Sequence, residues 1–219
     1  MLRYLIIFVM LPLIVNGQYK IDGIGYLKLG MPYQEARDSL SHYLKYGGEI
    51  RHFYDRKDDN KFYDSKDDLN TCPYSKIIEV PWLTISVVNF KNCKLTFYND
   101  SLVQIQTDGA IEIQKALTAK YGESTLKTDT KKVTCRYKYT GAENEEEENI
   151  YTNTWRSDSI SCYTTLDSYL NDDCQRRTLY YFFLGKPDYT IIIARCNAQM
   201  RKNANQQEID SLKSKLDGF

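Results

Sequence analysis

Pairs of short alternating runs around turn residues constrain the fold of this chain more than any other feature. Leu95–Tyr98 and Leu102–Ile105 alternate and flank Asn99-Asp100, a dipeptide that suits the tight turn of a β-hairpin. Short strands are likewise predicted on both sides of Ser157-Asp158. Because hairpin strands run antiparallel, these segments predict an antiparallel sheet.

Further strands are predicted elsewhere in the chain. Leu83–Val87 alternates cleanly, and Val133–Tyr139 has the clearest pattern of a half-buried strand. Leu179–Leu184 and Tyr189–Cys196 flank Gly185–Asp188, which predicts another hairpin.

Three segments have the spacing of an amphipathic helix: Pro32–Tyr46, Ala110–Tyr121 and Asn203–Leu216. Gly47-Gly48 ends the first, and Gly122 follows the second as a left-handed C-terminal residue. Hairpins separated by single helices favour an α+β fold, with three helices packed mainly on one face of the antiparallel sheet.

The order of the elements also suggests an internal duplication. Trp82 and Cys93 precede a hairpin and the second predicted helix, whereas Trp155 and Cys162 precede a hairpin and the third. The alternative hypothesis is a meander that twice ends in a helix without any duplication.

The first seventeen residues have the pattern of a secretory signal peptide. Arg3 supplies a positive charge, Leu5–Val15 is apolar, and Val15 and Gly17 suit the cleavage positions before Gln18. The apolar run is too short to span a bilayer, for which roughly 20 residues are needed. We therefore expect residues 1–17 to be removed and residues 18–219 to form one soluble α+β domain, periplasmic or secreted.

The charge balance argues against two classes of partner. The whole chain has 29 basic and 29 acidic residues, so loss of Arg3 leaves one excess acidic residue. Nucleic-acid binding needs a basic patch, and anionic lipid needs a polybasic stripe. We expect neither a nucleic-acid partner nor a membrane span after cleavage of the leader.

An even number of cysteines in an exported chain indicates disulfides. No two cysteines form a Cys-x-x-Cys pair, which argues against redox catalysis and zinc knuckles. The pairing expected from proximity and from the strand order is Cys72–Cys93, Cys162–Cys174 and Cys135–Cys196.

Leu27–Ala36, with its Leu-Gly-Met-Pro core, resembles the opening of small exported envelope modules of the BamE/SmpA-like and β-lactamase-inhibitor-like kind. In those modules a strand ending in Leu-Gly-Met leads into a helix. The resemblance implies a binding or scaffolding role and carries no functional residue over to this chain. Gln18 and the Lys-Tyr-Gly that ends the second helix also look like features of secreted proteins of Bacteroidetes-type bacteria.

A charged unit, Phe53–Asp59, recurs as Phe62–Asp68. Closely spaced carboxylates suit calcium. However, neither unit has the glycine of a calcium loop, and Lys57 and Lys66 would repel the cation. We therefore expect no metal and no other cofactor at this repeat.

The repeat is expected to form a mobile charged excursion at residues 55–70. Its aromatic side chains would be exposed to solvent in an isolated loop, so they are candidate partner contacts. These candidates are Phe53, Tyr54, Phe62 and Tyr63.

Two other features of the sequence do not predict a site. Glu143–Glu148 is a block of like charge and predicts a solvated, disordered hairpin tip. His42 and His52 lack the spacing of a zinc site and the flanking motifs of a hydrolase. No catalytic, cofactor-binding or metal-ligating residue is predicted.

These patterns favour an exported, non-enzymatic binding or interaction protein whose partner is a protein or a glycan. The 19 tyrosines, and the run Tyr180–Phe183 above all, suit such contacts because tyrosine offers contact area at low entropic cost. The alternatives are a secreted hydrolase whose site is assembled only in the fold, and a structural envelope component.

Overall fold

The computed structural model describes residues 20–45, 54–55, 71–85, 88–109, 111–138, 140–157 and 159–216. The predicted signal peptide and nearly all of the predicted excursion at 55–70 lie outside these residues. Two short strands, β1 (Gly23–Ile24) and β2 (Leu27–Lys28), form a separate hairpin.

One antiparallel sheet dominates the fold, with the strand order β3-β4-β5-β6-β10-β9-β8-β7. The strands are β3 (Tyr54–Asp55), β4 (Ser75–Ile85), β5 (Val88–Tyr98), β6 (Ser101–Asp108), β7 (Thr125–Arg136), β8 (Glu143–Ser157), β9 (Ile160–Leu170) and β10 (Arg176–Gly185). The helices are α1 (Tyr33–Lys45), α2 (Ile111–Tyr121) and α3 (Pro187–Leu216). The predicted α+β fold with a hairpin-built sheet is confirmed.

The turn between β5 and β6 shows why hairpin chemistry was informative. Asn99 and Asp100 both have positive φ, 48° and 65°, which is the backbone of the favoured two-residue hairpin turn. Tyr98 and Ser101 close the ladder on either side of it.

The main core lies between one face of the sheet and helices α1 and α2. Tyr33 of α1 packs edge-on against Phe97, with 5.1 Å between ring centroids. Ile113 and Leu117 of α2 are buried in the same cluster. Ala36 and Leu40 of α1 are also buried there, so the described part of each helix buries residues at the four-residue spacing of an amphipathic helix.

The Leu-Gly-Met segment joins β2 to α1, as expected for a strand followed by a helix. Gly30 has a φ of 93°, which favours glycine, and its amide donates to Leu102 O at 2.7 Å. The Leu102 amide in turn donates to Met31 O at 2.9 Å. These bonds fix the start of α1 against β6.

The predicted strand Tyr189–Cys196 is wrong, because these residues belong to α3, which begins at Pro187 and runs for 30 residues. Proline suits the first helical turn, where its missing amide would have no intrahelical partner. Tyr189, Ile193 and Cys196 are half-buried at the spacing of one helical face.

The first turns of α3 lie on the face of the sheet opposite α1 and α2. Gln104 alternates with the core residue Ile105 and so points to that opposite face. Its Nε2 donates to Thr190 Oγ1, and the Tyr98 ring lies 5.6 Å from that of Tyr189. Two of the three helices, not all three, therefore share a face.

The predicted disordered tip at Glu143–Glu148 is also wrong, since these residues begin strand β8. Cations on the neighbouring strand β7 offset the repulsion. Lys131 Nζ lies 3.9 Å from a Glu148 carboxylate oxygen, and Arg136 Nε lies 3.9 Å from one of Glu143.

The structure contains two disulfides, Cys72–Cys196 and Cys135–Cys174, with Cα separations of 5.3 and 5.7 Å. All three predicted pairings are wrong, although the expectation of at least two bridges is confirmed. The remaining two cysteines are free and buried. Cys93 lies opposite Val80 and Cys162 opposite Trp155, so each faces the core rather than another cysteine.

The two units of the hypothesised duplication differ in their surroundings. Trp82 is 52% exposed, whereas Trp155 is buried, and the helices that follow lie on opposite faces of the sheet. Within the described part of the chain, no helix is both long and apolar enough to cross a membrane.

Candidate binding groove at a gap in the sheet

Strand β6 is shorter than its neighbour β10, and this difference in length leaves a gap in the sheet beside β10. β6 ends at Asp108, opposite Tyr181, whereas β10 begins five residues earlier, at Arg176. Arg176–Tyr180 pairs with β9 on one side. On the other side, no described strand continues beyond β6.

A groove of about 620 Å³ occupies this gap. One wall comes from the paired ends of β4 and β5, with Trp82, Asn89 and Lys91. The floor is formed by Asp108 and Gly109, where the chain leaves β6.

The other walls come from α2 and β10. Ile111 and Glu112 lie in the first turn of α2, and Thr178, Leu179 and Tyr180 lie on the open edge of β10. The groove is therefore built by five elements that the fold brings together from distant parts of the sequence.

Four large apolar side chains in this groove are substantially exposed. Leu179 is 57% exposed, Trp82 52%, Ile111 45% and Tyr180 37%. Single exposed apolar residues are common, but a cluster inside a recess is typical of an interaction site.

Direct cross-strand pairing places several groove residues in one row. Trp82 pairs with Lys91, Lys91 with Asp108, and Asp108 with Tyr181, so the four share the sheet face opposite the main core. Leu179 joins them because it lies two residues from Tyr181 on the same strand. This row forms one side of the groove.

The polar members of the row hold defined positions. Lys91 Nζ lies 5.2 Å from the centroid of the Trp82 ring, a cation–π contact. Asn92 Nδ2 donates to Asp108 Oδ2 at 2.5 Å, and Asn92 has a positive φ of 49° where the ladder between β5 and β6 shifts register. The bulge at Asn92 thus orients the carboxylate at the floor of the groove.

Thr178 and Tyr180 point to the other side of the sheet, where α2 begins. The Gly109 amide donates to Tyr180 O at 3.0 Å. A Cβ at Gly109 would lie 3.3 Å from the carbonyl carbon of Tyr181, so glycine permits the close approach of the two chains. This contact brings Ile111 and Glu112 against the edge of β10.

Tyr181, next to the groove, has its pKa raised to about 12. Burial of the phenol is the main cause, and the neighbouring Tyr163 and Asp108 add to it. Burial thus favours the neutral form of the Tyr181 phenol beside Asp108.

The residues predicted as partner contacts lie almost entirely outside the part of the chain that the structure describes. Phe53, Phe62 and Tyr63 lie outside the described residues, as does His52, and only the backbone of Tyr54 is described, paired with Glu79. His42 lies in α1, again with only its backbone described.

The groove residues themselves were missed as a site. Tyr180 belongs to the aromatic run singled out in the sequence, and Trp82 marked the hypothesised duplication. The unequal lengths of β6 and β10 would have indicated that these residues share a site, but sequence periodicity does not define where a strand ends.

No group of three or more potential metal ligands comes together among the residues described. Comparison of the chain with protein-family models, with curated proteins and with solved structures gave no match.

Proposed function

We propose that this chain is an exported binding protein, periplasmic or secreted, that holds a protein or glycan partner in the groove beside β10. The observation that carries the proposal is the cluster of Trp82, Ile111, Leu179 and Tyr180, all exposed within one recess. Burying this surface against a partner would supply a hydrophobic driving force.

The polar groups of the groove support a binding role. An amide, an ammonium group, two carboxylates and a hydroxyl line it, on Asn89, Lys91, Asp108, Glu112 and Thr178. A few such groups around an apolar surface orient a ligand and make its binding specific.

Two observations support export. The leader pattern at residues 1–17 directs a chain out of the cytoplasm. Two disulfides suit an oxidising compartment, where such bonds form and persist. The resemblance of Leu27–Ala36 to small envelope modules agrees with a binding or scaffolding role outside the cytoplasm.

Arrays of immobilised glycans and of peptides, probed with the fluorescently tagged, disulfide-intact protein, test the proposal. We expect array features bound by the wild type to lose their signal with Trp82→Ala and with Leu179→Asp. Leu126→Asp is the matched control, because Leu126 is 59% exposed on β7, away from the groove.

All three variants should keep the melting temperature of the wild type, since the substituted side chains are largely in solvent. Binding that survives both groove substitutions, or a wild type that binds neither class, would refute the proposal. Cleavage of a bound array ligand would instead favour the secreted hydrolase.

A further inference from the structure

We infer that the groove takes a short extended peptide, which adds a strand to the open edge of β10 and runs antiparallel to it. This inference rests on the proposed function and specifies the ligand class. Three features carry it: backbone groups on β10 that no described residue pairs, apolar surfaces on both sides of the gap, and opposite charges at its two ends.

The backbone of β10 offers hydrogen bonds toward the gap. In an antiparallel ladder, alternate residues direct both their amide and their carbonyl to the same neighbour. Tyr180 O accepts from Gly109 across the gap, so the backbone groups of Thr178 and Arg176 point the same way. No backbone hydrogen bond to Thr178 is made from that side by any described residue.

The open stretch has the length of a small peptide. Arg176–Leu179 spans about 14 Å at roughly 3.4 Å per residue, which fits four residues of an added strand. Successive side chains of that strand would alternate between Trp82 and Leu179 on one side and Ile111 and Thr178 on the other. Both sides therefore bury apolar surface of the same ligand.

The charges of the gap match a peptide with free termini in this direction. Asp108 and Glu112 lie at the end where β6 stops, and Arg177 lies toward the far end. A strand antiparallel to β10 places its α-ammonium group near the two carboxylates and its carboxyl end near Arg177. The Arg177 guanidinium donates to Gln175 Oε1 at 2.9 Å and has further N–H groups to offer.

The edge strand β7 is poorly suited to the same role. β7 carries Lys127, Lys131, Lys132 and Arg136, and lysines on an edge strand discourage the addition of another strand. Residues Thr178–Tyr180 of β10 carry no charge. Of these two edges, the one at the gap is therefore better suited to strand addition.

The test uses the tetrapeptide Leu-Ile-Glu-Thr with free termini, titrated at up to millimolar concentration and followed by tryptophan emission and calorimetry. Its second residue would exchange hydrogen bonds with Thr178, whereas the amide of its third residue would point away from β10. We expect N-methylation of the second residue to weaken binding at least tenfold, and N-methylation of the third less than twofold.

Substitutions in the protein test the same hydrogen bonds and charges as the changes in the peptide. Thr178→Pro removes the amide that faces the gap and leaves the hydrogen bonds with β9 in place, so it should abolish binding, whereas Thr178→Ala should retain it. Arg177→Glu should weaken binding of the Leu-Ile-Glu-Thr peptide and strengthen that of Leu-Ile-Lys-Thr. If Thr178→Pro fails to fold, the N-methylated peptides still test the hydrogen bonds between the peptide and β10.

Equal effects of the two N-methylations, or no binding of the tetrapeptide at millimolar concentration, would overturn the inference. If glycans still bind on the array in a Trp82-dependent manner, the proposed function stands and only the peptide class fails. If neither ligand class binds, both proposals fail.

Discussion

At the scale of single residues, burial determines the chemistry of the two free cysteines. The pKa values of Cys93 and Cys162 are raised to about 12, because their thiolates would have to form inside the core. A cysteine reacts as the thiolate and only where a reagent can reach it, and burial prevents both at Cys93 and Cys162. The even total of six cysteines predicts that all of them are paired. Counting cysteines does not show which of them face the core.

We expect the native protein to show no thiol that reacts with Ellman's reagent at pH 8. Two thiols should react once the protein is unfolded in guanidinium without a reductant, since Cys72–Cys196 and Cys135–Cys174 remain bonded. Peptide mapping should place both labels on Cys93 and Cys162. Labelling of any other cysteine would contradict the pairing.

The two tryptophans should respond differently to the same substitution. Trp155 is 3% exposed, and its Nε1 donates to Gly122 O at 2.9 Å. Trp155→Phe should lower the free energy of unfolding by about 1–3 kcal/mol, through the unpaired carbonyl and the lost volume. Trp82→Phe is the control and should change it by less than about 0.5 kcal/mol, which denaturant titration can measure.

At the scale of elements, two predictions from local turn and cap chemistry are confirmed. The Asn99-Asp100 turn forms as predicted, and Gly122 ends α2 with a φ of 83°. The start of α3 was misread because Ile191–Ile193 is a β-branched run that favours a strand. The helical spacing of Tyr189, Ile193 and Cys196 was the competing signal, and packing against the sheet decided in its favour.

The acidic start of β8 was missed for a different reason. A block of like charge predicts a solvated loop when it is considered by itself. Its stabilising partners are cations on another strand: Lys131 pairs with Glu148 and Lys132 with Glu147. The repulsion that the local sequence implies is thus offset by a ladder that only the fold creates.

Reversing the charge of both lysines should weaken this hairpin. The double substitution Lys131→Glu and Lys132→Glu places carboxylates opposite Glu148 and Glu147, and we expect a loss of about 1–2 kcal/mol in the free energy of unfolding. Added salt should recover part of the loss by screening the charges. Lys202→Glu, on the exposed side of α3, is the control and should have little effect; a loss as large there would point to net charge instead.

The groove illustrates where sequence reasoning stops. Trp82 and Leu179 approach the same recess only because β6 is shorter than its neighbours, and because Trp82 and Lys91, paired across β4 and β5, lie on the face away from the core. Periodicity assigns strands but fixes neither their ends nor their partners. The fold class could therefore be predicted, whereas the candidate site could not.

At the scale of the whole molecule, α3 joins the sheet through its first half only. Cys196 is bonded to Cys72, and Asn197 Oδ1 accepts from the Cys72 amide at 2.7 Å. Beyond Met200 nearly every described side chain is exposed, including Ile209 and Leu212. The second half of the helix therefore contributes little to the stability of the domain.

Truncation can test this division of α3. A chain that ends after Met200 should melt within about 3 °C of the full chain, because little packed surface is removed. A chain that ends after Lys186 loses the bridge and the contact of Thr190 with Gln104, and should melt far lower. Equal effects of the two truncations, measured by calorimetry, would show that the second half of α3 packs against the domain.

The nesting of the two disulfides has a mechanical consequence. Cys135 and Cys174 lie between Cys72 and Cys196 in the sequence, so the inner bridge sits within a covalent ring that encloses every strand from β4 to β10. Tension applied at the two chain ends would pass through the outer bridge and bypass strands β4 to β10. The segment before Cys72, with α1 and β3, would separate from the core first, while the enclosed strands and the gap beside β10 remained unloaded.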